Sequence, residues 1–100
     1  MKNPVRMTYA TALVLEALDQ GHVYGFDIID ATRLRSGTVY PLLRRLEDAG
    51  LVRSKWEKVA EARRENRPPR KYYELRPAAT AVMQKARARY PAVAAMELAR

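Results

Sequence analysis

No cysteine occurs in this chain, so disulfide staples and thiolate-held zinc or iron–sulfur centres are excluded. Histidine occurs once, at His22, and the carboxylates are scattered, which removes the usual donor sets for a transition metal. The same scarcity disposes of nucleophilic catalysis, because no cysteine–histidine or serine–histidine–acid set can be assembled around His22 alone. His22 reads as a loop residue. No phosphate-binding glycine loop follows a strand, and a carboxylate pair such as Glu47-Asp48 consists of helix-surface neighbours pointing different ways. The chain is therefore not expected to be an enzyme, and no cofactor or metal is expected with it. Long apolar runs are missing too, the longest being a few residues against the roughly 20 needed to cross a bilayer. The opening Met1-Lys2-Asn3-Pro4-Val5-Arg6 lacks an apolar core with a small-residue cleavage site. A cytoplasmic location without a membrane partner is expected.

What is present suits one small domain. The chain has 100 residues, 48% of them apolar, enough for a core but with much surface left in water. The formal charge of +8 is unevenly placed. Residues 1–31 hold two basic and four acidic side chains, residues 32–76 hold thirteen basic and six acidic, and residues 77–100 hold four and one. The middle of the chain is thus where a polyanion would be gripped.

Met7, Ala10, Leu13, Val14, Ala17 and Leu18 recur at helical spacing and predict one apolar helical face, closed by Gly21. Tyr24 to Ala31 reads as a shorter helix with Ile28 and Ile29 inward, followed by a polar link, Thr32 to Arg35, anchored by Leu34. Ser36 to Gly50 reads as a third helix with Val39, Leu42, Leu43 and Leu46 inward. Ser36 or Thr38 is expected as its N-cap, and Pro41 favours the later start, because a missing N–H is harmless only in a first turn.

Val52, Ser54 and Trp56 alternate with Arg53 and Lys55 as a strand, and Lys71 to Arg76 alternates in the same way. Between these runs lies a long basic tip containing Arg63, Arg64, Arg67 and Arg70. Two helices, a tight link, a third helix and a basic hairpin make the order of a helix-turn-helix with a wing. Trp56 is expected to pack in the core or at an interface, with stacking on an effector as the alternative. After Pro77 a further helix carries Ala79, Val82, Met83, Ala86, Tyr90 and Val93 as an apolar stripe, and Pro91 either kinks it or starts another helix through Met96 and Leu98. A three-helix core has little room for that stripe. Pairing with a second copy is the simplest way to bury it.

The run Gly37-Thr38-Val39-Tyr40-Pro41-Leu42-Leu43-Arg44-Arg45-Leu46-Glu47, followed by Gly50-Leu51-Val52, resembles the recognition-helix signature of the PadR family. Arg67-Pro68-Pro69-Arg70-Lys71-Tyr72-Tyr73-Glu74-Leu75 is similar to that family's basic wing and second strand, and His22-Val23-Tyr24-Gly25 to the entry of its second helix. The resemblance spans roughly Leu13 to Arg76. The chain departs from it in having no glycine in Arg76-Pro77-Ala78-Ala79-Thr80 and in the interruption at Pro91.

The expected fold is mainly α with a small two-stranded β wing. Residues 1–76 form the winged helix-turn-helix DNA-binding domain and residues 77–100 a C-terminal helical dimerisation segment. Double-stranded DNA is expected to meet Ser36, Gly37, Thr38, Tyr40, Arg44 and Arg45 on the third helix and Arg64, Arg67, Arg70 and Lys71 on the wing. The dimer interface is expected at Leu13, Ala79, Val82, Met83, Ala86, Tyr90, Val93 and Met96. The resemblance further implies a homodimeric repressor released by a small aromatic effector. The competing reading is a winged helix that engages protein or structured RNA without operator specificity.

Overall fold

A computed structural model describes residues 5–98. Helix α1 (Tyr9–Asp19) starts where Thr8 caps it, the threonine hydroxyl accepting from the Thr11 N–H at 3.1 Å. Residues Thr11 through Leu18 are all buried, which no amphipathic surface helix shows. α1 is instead the central rod of the molecule. Helices α2 (Gly25–Thr32) and α3 (Ser36–Asp48) pack against it, as do α5 (Ala79–Arg89) and the short α6 (Pro91–Ala94). The single apolar face read from Met7 to Leu18 is therefore incomplete: Ala12, Leu15 and the polar Thr11 and Glu16 are buried as well.

Pro91 starts a new helix rather than kinking the old one, with Tyr90 as the break between α5 and α6. Most of the apolar stripe of residues 79–93 is buried within the chain, Val82 and Tyr90 only partly. Leu13, Ala79, Met83, Ala86 and Val93 sit in one core cluster with Leu15, Leu43, Leu46 and Val52. Burying each large apolar side chain contributes about 1.5–3 kcal/mol, so α5 and α6 are part of what holds the fold. At the end of the described chain, Gln20 donates to the Met96 carbonyl at 2.7 Å and accepts from the Leu98 N–H at 2.9 Å. No helix among the described residues is long and apolar enough to cross a membrane.

β1 (Val52–Trp56) and β2 (Lys71–Leu75) form a two-stranded antiparallel sheet, pairing Val52 with Leu75, Ser54 with Tyr73 and Trp56 with Lys71. The connection is not an open basic tip. It contains a helical turn and a half, α4 (Val59–Arg64), whose Ala62 is fully buried. The sheet is tied to the helical body at two places. The Tyr73 N–H donates to the Val23 carbonyl at 2.8 Å, and Ser54 donates to Glu47 of α3 at 2.6 Å.

Candidate nucleic-acid interface

The link between α2 and α3 is tight because Arg33 takes a left-handed conformation, with φ of 63°. The Thr32 hydroxyl braces the turn, donating to the Ile28 carbonyl at 2.7 Å and accepting from the Leu34 N–H at 3.3 Å. The N-cap position falls at Arg35, one residue before Ser36 and three before Thr38, the two expected caps. Arg35 occupies the N-cap position without a side-chain bond, and Ser36 and Thr38 both lie inside the helix. Among the described residues neither hydroxyl is engaged, and both side chains are exposed. The early start places Pro41 beyond the first turn, where it cannot donate to the Gly37 carbonyl. The first turn of α3 therefore presents the N–H groups of Ser36 and Gly37, two hydroxyls and a Gly37 carbonyl without its usual helical donor, a dense set of contacts for a polar surface.

Val39, Leu42, Leu43 and Leu46 bury the inner face of α3, which turns Ser36, Gly37, Thr38, Tyr40, Arg44 and Arg45 outward together. No atom lies within 4 Å of where a Gly37 side chain would begin, so the backbone there is open to close approach. Tyr40 is 44% exposed, but its ring lies on Gly25 at the start of α2. A Cβ on Gly25 would fall 2.7 Å from the Tyr40 hydroxyl oxygen and 2.8 Å from Cζ. Gly25 thus sets the position of the tyrosine, a role its sequence neighbours do not reveal. Gly25→Ala is expected to displace the ring. Stability should change by less than about 1 kcal/mol, since alanine is the better helix former. Duplex affinity should drop about tenfold, the value of one lost charge- or hydroxyl-mediated contact. A titration with unchanged affinity would show that Tyr40 need not be held.

The wing is organised around Glu57, whose side chain is only 7% exposed. Its carboxylate accepts from both terminal nitrogens of Arg67, from the Arg70 N–H at 2.9 Å and from the Tyr24 hydroxyl at 3.2 Å. The Arg70 guanidinium lies 3.9 Å from the centre of the Tyr24 ring. These bonds, that of Arg67 above all, hold the Glu57 carboxyl down at about 2, against an ordinary 4.5. The same bond raises Arg67.

Two of the wing residues expected to meet DNA also make contacts within the hairpin. Arg67 is committed to Glu57, and Arg70 is shared between Glu57 and Tyr24. They shape the wing. Arg64 and Lys71 stay exposed and outside any ion pair among the described residues. Glu57 was not legible as a functional residue, because a glutamate in a basic run looks like charge balance.

The depressed carboxyl fixes a pH dependence. Its stabilising contribution is complete above the ordinary carboxylate value of 4.5 and is lost progressively as pH falls from there to about 2. The wing is expected to keep its form from pH 8 to pH 5, and a carbon NMR titration should place the Glu57 midpoint near 2. Glu57→Gln should speed amide exchange at Arg70 at every pH. A midpoint at the ordinary glutamate value would mean that the knot does not hold.

An exposed, basic, hydroxyl-rich third helix beside a braced hairpin defines a winged helix-turn-helix of the kind that docks on nucleic acid. The chain belongs to the PadR-like family of transcriptional regulators, whose model matches residues 14–85. It is similar to solved structures of this type. A PadR family regulator from Clostridium difficile shares 23% identity at a TM-score of 0.71, covering 87% of this chain and 92% of that one. A PadR family regulator from Eggerthella lenta shares 29% identity at a TM-score of 0.59, with coverage of 83% and 75%. Bordetella bronchiseptica BpsR, whose DNA binding is regulated by 6-hydroxynicotinic acid, shares 21% identity at a TM-score of 0.67, with coverage of 88% and 58%. No protein of curated function matches the chain.

Proposed function

We propose that this chain is a homodimeric repressor that binds a palindromic operator, with the two α3 helices in successive major grooves about 34 Å apart. The observation that carries the reading is the outward set on α3, where Ser36, Thr38, Tyr40, Arg44 and Arg45 are exposed together, with Arg64 and Lys71 of the wing exposed as well. The helix start would take a backbone phosphate, and Arg44 or Arg45 a guanine edge. Arg67 and Arg70 act indirectly by holding the hairpin at its angle.

Leu13, Ala79, Met83, Ala86 and Val93 are spent in the core, so the surface available to a second copy narrows to Val82, Tyr90 and Met96 with Tyr9 of α1. Tyr9 is half-exposed and stands edge-on to Tyr90 at 5.8 Å. A small aromatic molecule is proposed as the releasing ligand, by analogy with the ligand regulation of BpsR.

The test is binding to the DNA upstream of the chain's own gene, against random duplex competitor, at several salt concentrations. The expected result is a salt-sensitive complex of two protomers that survives competitor at a ratio of about 10³ or more. Equal binding to every duplex would overturn the operator reading. Absence of duplex binding would move the function to a protein or RNA partner.

A further inference from the structure

Trp56 is the chain's one tryptophan, and it is 67% exposed. It fills no place in the core of the chain, which corrects half of the expectation formed from its sequence setting. Its position says more than its exposure. Side chains alternate along a strand, so Val52, Ser54 and Trp56 share one face of the sheet. That face is the one turned toward α3: Val52 is buried in the core, and Ser54 donates to Glu47. Tyr73, the cross-strand partner of Ser54, lies on the same face, where burial first, then the neighbouring Tyr40 and Glu47, raise its hydroxyl, and Arg44 acts against them. The next pair outward is Trp56 with Lys71. There the face runs off the protein body into solvent; Tyr40 and Arg44, which neighbour Tyr73, are exposed too.

The surroundings are cationic. Lys55 and Lys58 flank the tryptophan in sequence, Lys71 stands opposite, and all three are exposed. The nearby Glu57 and Glu74 are already held by Arg67, Arg70, Arg53 and Lys55. A large aromatic ring left in water beside two lysines outside any ion pair among the described residues, Lys58 and Lys71, fits a polyanion with apolar faces: the sugars and bases of a duplex groove. An apolar protein surface would be complementary to the ring but not to its collar of charge.

We infer that Trp56 is a DNA-contacting residue of the wing, its indole packing on the deoxyribose and base edges of the minor groove beside the half-site, with Lys71 on the adjoining phosphate. The inference rests on the operator-binding reading above. It assigns the wing an apolar contact whose contribution does not depend on counterion release, unlike that of its lysines.

The tryptophan reports on itself. Acrylamide quenching of the wild-type emission is expected to be strong in the free protein and to fall markedly on adding operator duplex. Trp56→Ala should weaken operator binding roughly fivefold or more with the salt slope unchanged, and Trp56→Phe should restore most of the loss. Lys71→Ala should instead lower the slope by about one. If the wild type binds its operator while Trp56 stays quenchable and Trp56→Ala binds as tightly, the inference fails and the operator reading stands. Protection that appears with protein concentration alone would assign the ring to a second copy and overturn it. If the wild type binds no duplex, both readings fall together.

Discussion

Replacing Arg44 and Arg45 together by alanine is expected to lower operator affinity about a hundredfold or more while thermal unfolding stays where it was. Both side chains are exposed, and neither joins an ion pair among the described residues. Removing exposed, unpaired charges moves stability by less than about 0.5 kcal/mol, so fold and binding separate cleanly. A bidentate arginine on guanine is worth about 1–3 kcal/mol, and each phosphate neutralised adds about 0.9 to the salt slope. The double variant should therefore lose up to two in slope if both arginines face phosphates, and less if one reads a base. Conservative Arg→Lys changes divide the cases further, since lysine keeps the charge but not the fork. Equal affinity and slope in the variant and the wild type would remove α3 from the contact surface.

The wing variants should behave differently because their residues do different work. Arg67 and Arg70 are bound to Glu57 and Tyr24, so their loss deforms the hairpin before it subtracts a phosphate contact. Affinity then falls together with the order of the wing, visible as faster exchange at the Arg70 amide. Arg44 and Arg45 leave that amide unchanged.

The sequence pattern carried the helix order, the two strands and the inner face of α3, because each of these buries one clean stripe. It misled where burial departs from a single stripe. α1 is covered on several sides, and the polar Thr11 and Glu16 within it hide that. Their buried polar atoms are satisfied by the Arg6 carbonyl and by Arg87, partners that no local pattern announces. The wing helix α4 was concealed by its length. Val59-Ala60-Glu61-Ala62-Arg63-Arg64 consists mostly of good helix formers, but six residues show less than two turns of periodicity. Charge was the least legible feature. Four basic side chains in a run look interchangeable, yet the position of one carboxylate, Glu57, decides which of them are spent and which are free.

Ending the chain at Arg76 is expected to leave residues 1–76 unfolded as an isolated fragment, although the sequence divides there naturally. The cut would remove Ala79, Met83, Ala86 and Val93 from the core and open the side of α1 that α5 and α6 cover. At about 1.5–3 kcal/mol for each large apolar side chain, and more for the neighbours uncovered, the loss is comparable with the whole stability of a small domain, about 5–15 kcal/mol.

The cut would also strand Glu16. Its carboxylate is 4% exposed and accepts from Arg87 of α5 at 2.7 Å, while the same guanidinium reaches Asp19 at 2.9 Å. Arg87→Ala isolates that effect in the full chain. Removing one partner of a buried pair costs about 3–5 kcal/mol, but Arg87 is nearly half exposed and water can reach the vacated place, so about 2 kcal/mol is expected. In a domain of this size that lowers the midpoint of thermal unfolding by about 10 °C. Glu16→Gln should cost less, because a neutral amide is cheaper to leave without its cation. Far-ultraviolet circular dichroism on heating measures all three. A cooperative transition for residues 1–76 near that of the full chain would show that α5 and α6 are an appendage, free to serve a partner. A coil-like fragment with the expected order of the point variants would show that, on the side of α1, α5 and α6, the surface offered to a second copy is what the fold leaves uncovered there: Tyr9, Val82, Tyr90 and Met96.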